Sequence, residues 1–174
     1  MKRIVLAWGF ALACILPAFA QDGEDVIFHD ALLDKMAGSW TMTGTIAGAP
    51  TTHKVEVRWV LNHQFLQIHE VSIEAKPDGT PQYEAMPMIG YDNTDKRYVV
   101  HWIDTFGGRY SETLGYGVRE GDEIKFVFEY PEGSFNTIFR WNEAAGTWQW
   151  LMEQKDEKGQ WAEFGNMTMS RNGD

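Results

Sequence analysis

Histidines and carboxylates are the side chains through which this chain could bind a metal ion or transfer a proton, and it has five histidines. His63 and His69 share one face of a predicted strand, but six residues of extended chain separate them by about 20 Å, too far to hold one ion. His53 and His101 would have to approach from other strands. His101 and Asp104 have opposite parity, so they point to opposite faces. We therefore expect no metal site.

A polar anchor inside an apolar cavity is a second kind of chemistry that the sequence offers. His69 and Gln67 lie on the same strand face as Phe65, Val71 and Ile73. If that face points inward, the imidazole and the amide could fix the polar end of a ligand. If it points outward, both are ordinary surface groups. Parity alone leaves both possibilities open.

Motifs of established catalytic chemistry are absent from the sequence. It has no nucleophile elbow, paired-carboxylate arrangement, phosphate-binding loop or triad pattern. Its single cysteine, Cys14, lies in an apolar N-terminal segment that we expect to be removed. We therefore expect no catalytic residue, no disulfide and no cofactor.

The elements that must position these side chains are predicted to be strands almost throughout. Phe28, Ala31, Leu32 and Met36 fall at helical spacing with Gly38 just beyond, which predicts one short N-terminal helix. Hydrophobicity then alternates with period two between turns rich in Gly, Pro, Asn and Asp. The pattern predicts ten strands, at about 39–46, 53–60, 65–73, 83–91, 97–104, 110–118, 124–130, 134–142, 147–154 and 161–170.

Alternation gives the predicted sheet one apolar and one polar face. In the second strand, for example, Val55, Val57 and Trp59 alternate with charged residues. Most connections are of hairpin length, which indicates sequential antiparallel pairing. An open sheet of this size would leave edges and an apolar face uncovered. We therefore predict an all-β fold, a closed antiparallel up-and-down barrel of about ten strands, with a two-sheet sandwich as the alternative.

A barrel of about ten strands has an interior wide enough for a small ligand. Pro87 cannot donate to a sheet ladder, so we expect an edge or a bulge there. Parity and the prevalence of aromatic and methionine side chains on one face predict the wall of the cavity. The predicted ligand-binding residues are Trp59, His69, Met88, Trp102, Tyr116, Phe128, Phe139 and Trp150.

Residues 1–20 have the pattern of a secretory signal peptide. They combine a positively charged start, an apolar core and an Ala-Phe-Ala cleavage site. We therefore divide the chain into a signal peptide, 1–20, and one domain, 21–174. We expect export to the periplasm or the medium, and lipidation of Cys14 is the alternative.

The charge of the predicted domain excludes several classes of partner. The segment 1–20 contains two of the 15 Lys and Arg residues, which leaves 13 against 25 Asp and Glu, a net charge of −12. Such a surface repels nucleic-acid phosphates and anionic lipid headgroups. No later stretch approaches the roughly 20 apolar residues that span a bilayer. We expect a soluble monomer or homodimer that neither binds nucleic acid nor spans a membrane.

The two ends of the predicted domain resemble the calycin superfamily, which includes lipocalins and fatty-acid-binding proteins. Gly38-Ser39-Trp40 opens the first strand and Arg171 ends the last. In that superfamily an early Trp closes one end of the barrel and a late basic side chain lies over it. The resemblance implies structural roles for Trp40 and Arg171, in which the guanidinium stacks on the indole and bonds nearby backbone.

The centre of the sequence resembles a bacterial family, domain of unknown function 1579. The shared features are a Gly-Tyr-Asp turn at 90–92, Tyr98, and the Trp-Ile-Asp segment at 102–104, and the resemblance spans about residues 31–171. It implies a lipocalin-like barrel, often exported, with no established activity. Haem-binding nitrobindin-like barrels are more distant relatives and use a His near the C-terminus. This chain has no His after His101, so we expect no haem.

These expectations lead to one predicted function and two alternatives. We predict an exported, non-catalytic protein that binds a small apolar or aromatic molecule inside the barrel. The first alternative is a small-molecule enzyme in which Asp104, His69 or Tyr98 acts as acid or base at the barrel mouth. The second is a module that binds a protein partner, or dimerises, through an exposed sheet face or edge.

Overall fold

Eleven strands and two one-turn helices form the part of the chain that this computed structural model describes, residues 27–156 and 158–172. The predicted signal peptide and Cys14 lie outside the described residues. In chain order the elements are α1 (Ala31–Asp34), β1 (Gly38–Ile46), β2 (Ala49–Val60), β3 (Phe65–Ser72), β4 (Glu84–Ala85), β5 (Met88–Asp92), β6 (Arg97–His101), α2 (Gly108–Ser111), β7 (Leu114–Glu120), β8 (Glu123–Tyr130), β9 (Gly133–Asn142), β10 (Thr147–Lys155) and β11 (Trp161–Arg171).

Antiparallel pairing closes ten of these strands into a barrel. The ring runs β1, β2, β3, β5, β6, β7, β8, β9, β10 and β11, and it returns to β1. At the seam between first and last strand, Trp40 lies opposite Arg171, and Gly44 lies opposite Met167. The two-residue strand β4 is an extra element on β3. The predicted closed antiparallel barrel is confirmed, and the sandwich alternative is wrong.

The barrel departs from the predicted strands at Pro87. The predicted strand 83–91 is divided into β4 and β5, because proline has no N–H to donate to the ladder. Its carbonyl still accepts a hydrogen bond from the N–H of Ile68, at 2.9 Å. The N–H of the neighbouring Met86 turns to the carbonyl of Ile103, at 2.6 Å. This break lies next to the loop that begins at residue 102, since Ala85 pairs with Asp104.

A second departure lies between β6 and β7. The predicted strands 97–104 and 110–118 are both shortened, because residues 102–113 form a loop that contains α2. Gly107 precedes this helix with a φ of +83°, a conformation that favours glycine. His101 Nε2 contacts the carbonyl of Ser111 at 2.7 Å and so joins the two ends of the loop. Neither helix, nor any other in the described part of the chain, is long and apolar enough to cross a membrane.

Two glycines of β7 make room for aromatic rings inside the barrel. A β-carbon at Gly115 would lie 2.6 Å from the ring of Phe128, and one at Gly117 would lie 2.7 Å from the ring of Phe126. Both phenylalanines come from the neighbouring strand β8 and are buried. A larger residue in either position would force these rings away from the barrel axis.

Candidate ligand-binding cavity

One end of the barrel is closed by the segment that contains α1. Leu32, Leu33 and Met36 are buried beneath the strands, and the indole N–H of Trp40 donates to the carbonyl of Met36 at 2.7 Å. The Arg171 guanidinium lies over the Trp40 ring, 4.3 Å from its centroid. It also donates to the carbonyls of Ala37 and Lys35, at 3.3 and 3.0 Å. These contacts attach the helix to both terminal strands of the barrel.

The other end opens into a cavity of about 690 Å³. This volume is within the range of small-molecule binding sites. Loops 73–82 and 102–113 and the turn between β8 and β9 surround its mouth, and the inner faces of the strands form its wall. The apolar lining is dominated by aromatic rings and consists of Ile46, Ala49, Pro50, Tyr83, Trp102, Phe106, Tyr110, Phe128, Tyr130, Phe135, Trp150, Met152 and Phe164.

Ring-to-ring contacts hold this aromatic wall in place. Trp102 meets Trp150 edge-on with centroids 5.4 Å apart, and it meets Phe128 in the same manner at 6.3 Å. Phe128 stacks on Tyr130 at 5.5 Å, and Tyr130 touches Tyr110 of α2 at 6.1 Å. Rings held by one another present a rigid apolar surface, which lowers the entropic cost of binding a ligand.

A buried histidine–glutamate pair lies in the same cavity. His53 of β2 and Glu70 of β3 are both almost inaccessible to solvent, and Nδ1 of His53 forms a hydrogen bond with Oε1 of Glu70. Nε2 of His53 contacts Oγ1 of Thr51 at 2.9 Å, and the same hydroxyl donates to Oε2 of Glu74 at 3.1 Å. Four side chains therefore form one continuous polar network from the rim to the interior.

A second polar network lines the same cavity and interacts electrostatically with Glu70. The hydroxyl of Tyr83 donates to Oδ2 of Asp104 at 3.2 Å and accepts from the indole N–H of Trp102 at 3.1 Å. Oδ1 of Asp104 accepts from the N–H of Phe106, at 2.8 Å. These bonds link the loop 102–113 to the strand side of the cavity and fix the orientation of the Trp102 ring.

Burial in the cavity shifts the pKa values of its ionisable groups. Burial raises the pKa of Glu70 above its ordinary value, although the hydrogen bond and charge of His53 act in the opposite direction. Burial and the negative charge of Glu70 raise the pKa of Tyr83 well above its ordinary value. Burial and the charge of Asp104 raise the pKa of Tyr130 to about 12. Both phenols therefore stay protonated at neutral pH, and that of Tyr83 donates to Asp104.

Comparison with known families gives one finding. The family model described as "Protein of unknown function (DUF1579)" matches residues 29–171. The chain belongs to this family. No curated protein matches it. Membership of the DUF1579 family agrees with the resemblance carried by the Gly-Tyr-Asp turn and the Trp-Ile-Asp segment, and it leaves the function to be argued from the cavity.

Four of the eight predicted wall residues lie inside this DUF1579 barrel at or near the cavity. Trp102, Phe128 and Trp150 line it directly. Phe139 is buried just beneath, with its ring 4.7 Å from that of Trp150. These residues come from β8, β9, β10 and the end of β6, which the closure of the barrel brings together. Their role in binding stays a prediction.

The other four predicted wall residues do not line the cavity, which differs from the prediction. His69, Met88 and Tyr116 are on the outer face of the barrel. His69 forms a hydrogen bond with Glu84 at 2.7 Å, and Met88 lies opposite Gln67, whose side chain points outward. Tyr116 is 40% exposed. Trp59 points inward but at the closed end, where its N–H donates to Asp34 at 2.9 Å. The outer position of Tyr116 follows from β7, whose inward residues are glycines that admit the rings of β8.

The three residues of the enzymatic alternative do not converge. Asp104 lines the cavity, whereas His69 lies on the outer face and Tyr98 lies at the closed end, bonded to Asp30. Among residues 27–156 and 158–172, no group of three or more histidine, cysteine or carboxylate side chains is arranged to hold a metal ion.

Sequence reasoning missed the pair His53 and Glu70. A signal was present, because His53 has the parity of Val55 and Val57, and Glu70 has the parity of Leu66 and Ile68. A histidine or glutamate that shares the parity of a strand's apolar residues is predicted to point into the barrel with them. The cross-strand register, which sets Val55 opposite Glu70 and so places His53 close by, was needed to show that they meet.

Proposed function

We propose that this protein binds a small apolar or aromatic molecule in the open end of its barrel. Binding, rather than chemistry on the bound molecule, is the function that the arrangement supports best. We further propose that it acts outside the cytoplasm, which rests on the signal-like sequence 1–20 alone.

The observation that carries the proposal is the difference between the two ends of the barrel. The α1 segment seals one end, and a cavity of about 690 Å³ with aromatic walls remains at the other. Removing apolar ligand surface from water contributes roughly 25 cal/mol for each Å² buried, so a cavity with such walls favours an apolar molecule. The polar side chains among the lining residues can then orient it.

A neutral fluorescent probe, N-phenyl-1-naphthylamine, tests the proposal. It brightens when it enters an apolar site, and energy transfer from Trp102 or Trp150 would report its proximity to the cavity. We expect saturable binding of one probe per chain and displacement by 1-octanol. An absence of saturable brightening contradicts the proposal.

A pair of identical substitutions locates the site. Trp102→Phe removes an indole from the cavity wall, whereas Trp141→Phe removes one from the closed end, where Trp141 donates to Glu143 at 2.6 Å. We expect energy transfer to the probe to fall markedly in Trp102→Phe and to change little in Trp141→Phe. Equal losses in the two variants would place the probe away from the cavity.

A further inference from the structure

The Glu70 carboxylate has one oxygen without a partner. Glu70 is only 2% exposed and contributes to the lining of the cavity from the inner face of β3. Its Oε1 bonds His53, but its Oε2 is buried and has no hydrogen-bond partner among the described residues. An unsatisfied buried oxygen of this kind costs roughly 1–3 kcal/mol, more if charged, so its retention at a cavity wall indicates a partner that arrives with the ligand.

The hydrogen-bond network defines what that partner must be. Hydrogen bonds from the backbone and from Thr51 lower the pKa of Glu74, so Glu74 is a carboxylate and the Thr51 hydroxyl must donate to it. That hydroxyl therefore accepts from Nε2–H of His53. One proton then lies between Nδ1 of His53 and Oε1 of Glu70, on one atom or the other. Because that one proton lies in the Nδ1–Oε1 hydrogen bond, Oε2 carries none and is an acceptor.

The surroundings of Oε2 favour a positively charged donor. Glu74 and Asp104 line the same cavity, and Lys155 is the one lysine or arginine among its described lining residues. Glu132 also lines it but is paired with Arg109. The faces of aromatic rings attract cations, and the rings of Trp102 and Tyr83 lie beside this carboxylate-rich side. A negative ligand group would meet like charges here.

We propose that the molecule bound in the cavity is an organic amine, whose ammonium group donates a hydrogen bond to Oε2 of Glu70 while its apolar body lies among the aromatic rings. This inference rests on the proposed binding function and specifies the chemical class of the ligand. An alkylammonium is protonated at neutral pH, and a bond between ionised groups is stronger than one from a neutral alcohol.

Three ligands of equal chain length separate this inference from the binding function itself. Octylamine, 1-octanol and octanoate can each displace the naphthylamine probe, and calorimetry gives their affinities. We expect octylamine to bind at least about tenfold more tightly than 1-octanol, and octanoate to bind most weakly. If none of the three binds, the proposed function is wrong. If octanoate binds most tightly, for instance to the unpartnered indole N–H of Trp150, or if all three bind equally, the amine is wrong and the cavity function stands.

A matched pair of variants assigns the preference to Glu70. Glu70→Gln replaces the carboxyl group by an amide and should reduce the preference for octylamine over 1-octanol to less than about threefold while affinity for 1-octanol is retained. Glu129→Gln removes a carboxylate from the outer part of β8, where Ser134 donates to it at 2.5 Å, and should leave the preference unchanged. An unchanged preference in Glu70→Gln overturns the proposal.

A comparison on the wild-type protein alone covers the case in which Glu70→Gln does not fold. Octyltrimethylammonium has the same charge as octylamine but no N–H group to donate. We expect octylamine to bind several-fold more tightly, because only it can bond Oε2 of Glu70. Equal or tighter binding of octyltrimethylammonium overturns the proposed hydrogen bond.

Discussion

Each end of the barrel buries a carboxylate, and the two carboxylates differ in their hydrogen-bond partners. Asp30, at the closed end, accepts from the N–H groups of Leu32 and Leu33 at 2.8 and 3.0 Å, from Arg119 at 3.1 Å and from the Tyr98 hydroxyl. Both of its oxygens have partners. Glu70, at the open end, has a partner for one oxygen only within the described part of the chain.

The difference in partners gives opposite shifts in pKa. Burial alone would raise the pKa of Asp30, but the hydrogen bonds from Tyr98, Leu33 and Leu32 and the charge of Arg119 lower it overall. For Glu70, burial outweighs the contribution of His53, and the pKa is raised. The closed end thus stabilises an ionised carboxylate within the folded chain, whereas the open end keeps one whose coordination is incomplete. The sealed end and the open end of the barrel are distinguished in this way.

The largest expected difference between the ends comes from removing one indole at each. Trp40 is completely buried, so Trp40→Ala should lower the free energy of unfolding by about 3–5 kcal/mol through the cavity it leaves. Trp102 is only half-buried beside existing free space, so Trp102→Ala should cost less, by at least about 1 kcal/mol. Urea unfolding monitored by circular dichroism measures both values. Equal losses would contradict the division into a structural end and a proposed binding end.

Neutralising Asp30 should have the next largest effect. Asp30→Asn removes the charge opposite Arg119 and places an amide against a donor that needs an acceptor, so we expect a loss of roughly 2–4 kcal/mol in urea unfolding. Asp95→Asn is the matched control, because Asp95 pairs with Arg97 at an exposed position, at 2.8 Å. The control should lose less than about 1 kcal/mol. If Asp30→Asn lowered the free energy of unfolding as little as the control does, the hydrogen-bond partners of Asp30 would be satisfied equally well by water.

The smallest effect is the dependence of stability on pH, and its sign should differ between the ends. Asp30 has a lowered pKa, so its stabilisation is present above the ordinary value of 3.8 and is lost as the pH falls through its folded-state pKa. Glu70 has a raised pKa, so its stabilisation is present below 4.5 and is lost as the pH rises through its folded-state pKa.

Melting temperatures measured from pH 3 to pH 8 test these signs. Relative to wild type, Glu70→Gln should gain stability as the pH rises above the ordinary carboxyl range, whereas Asp30→Asn should come closest to wild type at the acid limit. His53, Asp104 and Tyr83 interact with Glu70, so the transition belongs to the group and not to one residue. A Glu70→Gln curve parallel to wild type would show that the pKa of Glu70 is the same in the folded and the unfolded chain, which contradicts the predicted sign.

The strand pattern was predictable wherever one face was wholly apolar. In β8, Ile124, Phe126 and Phe128 alternate with exposed or half-buried residues, and all three are buried as the parity predicts. In β3 the parity was ambiguous, since both faces mix polar and apolar residues. There the pairing with β2, which sets Val57 opposite Ile68, decided which face lies inside.

The sequence by itself determined the all-β class, the antiparallel order and the need for closure, because period-two alternation and short turns are local properties of the chain. Only the tertiary structure decided which end of the barrel α1 seals, that Gly115 and not Tyr116 faces inward, and that His53 meets Glu70. Those outcomes depend on pairing between strands that are distant in sequence, and the register and packing of such strands are set only when the barrel closes.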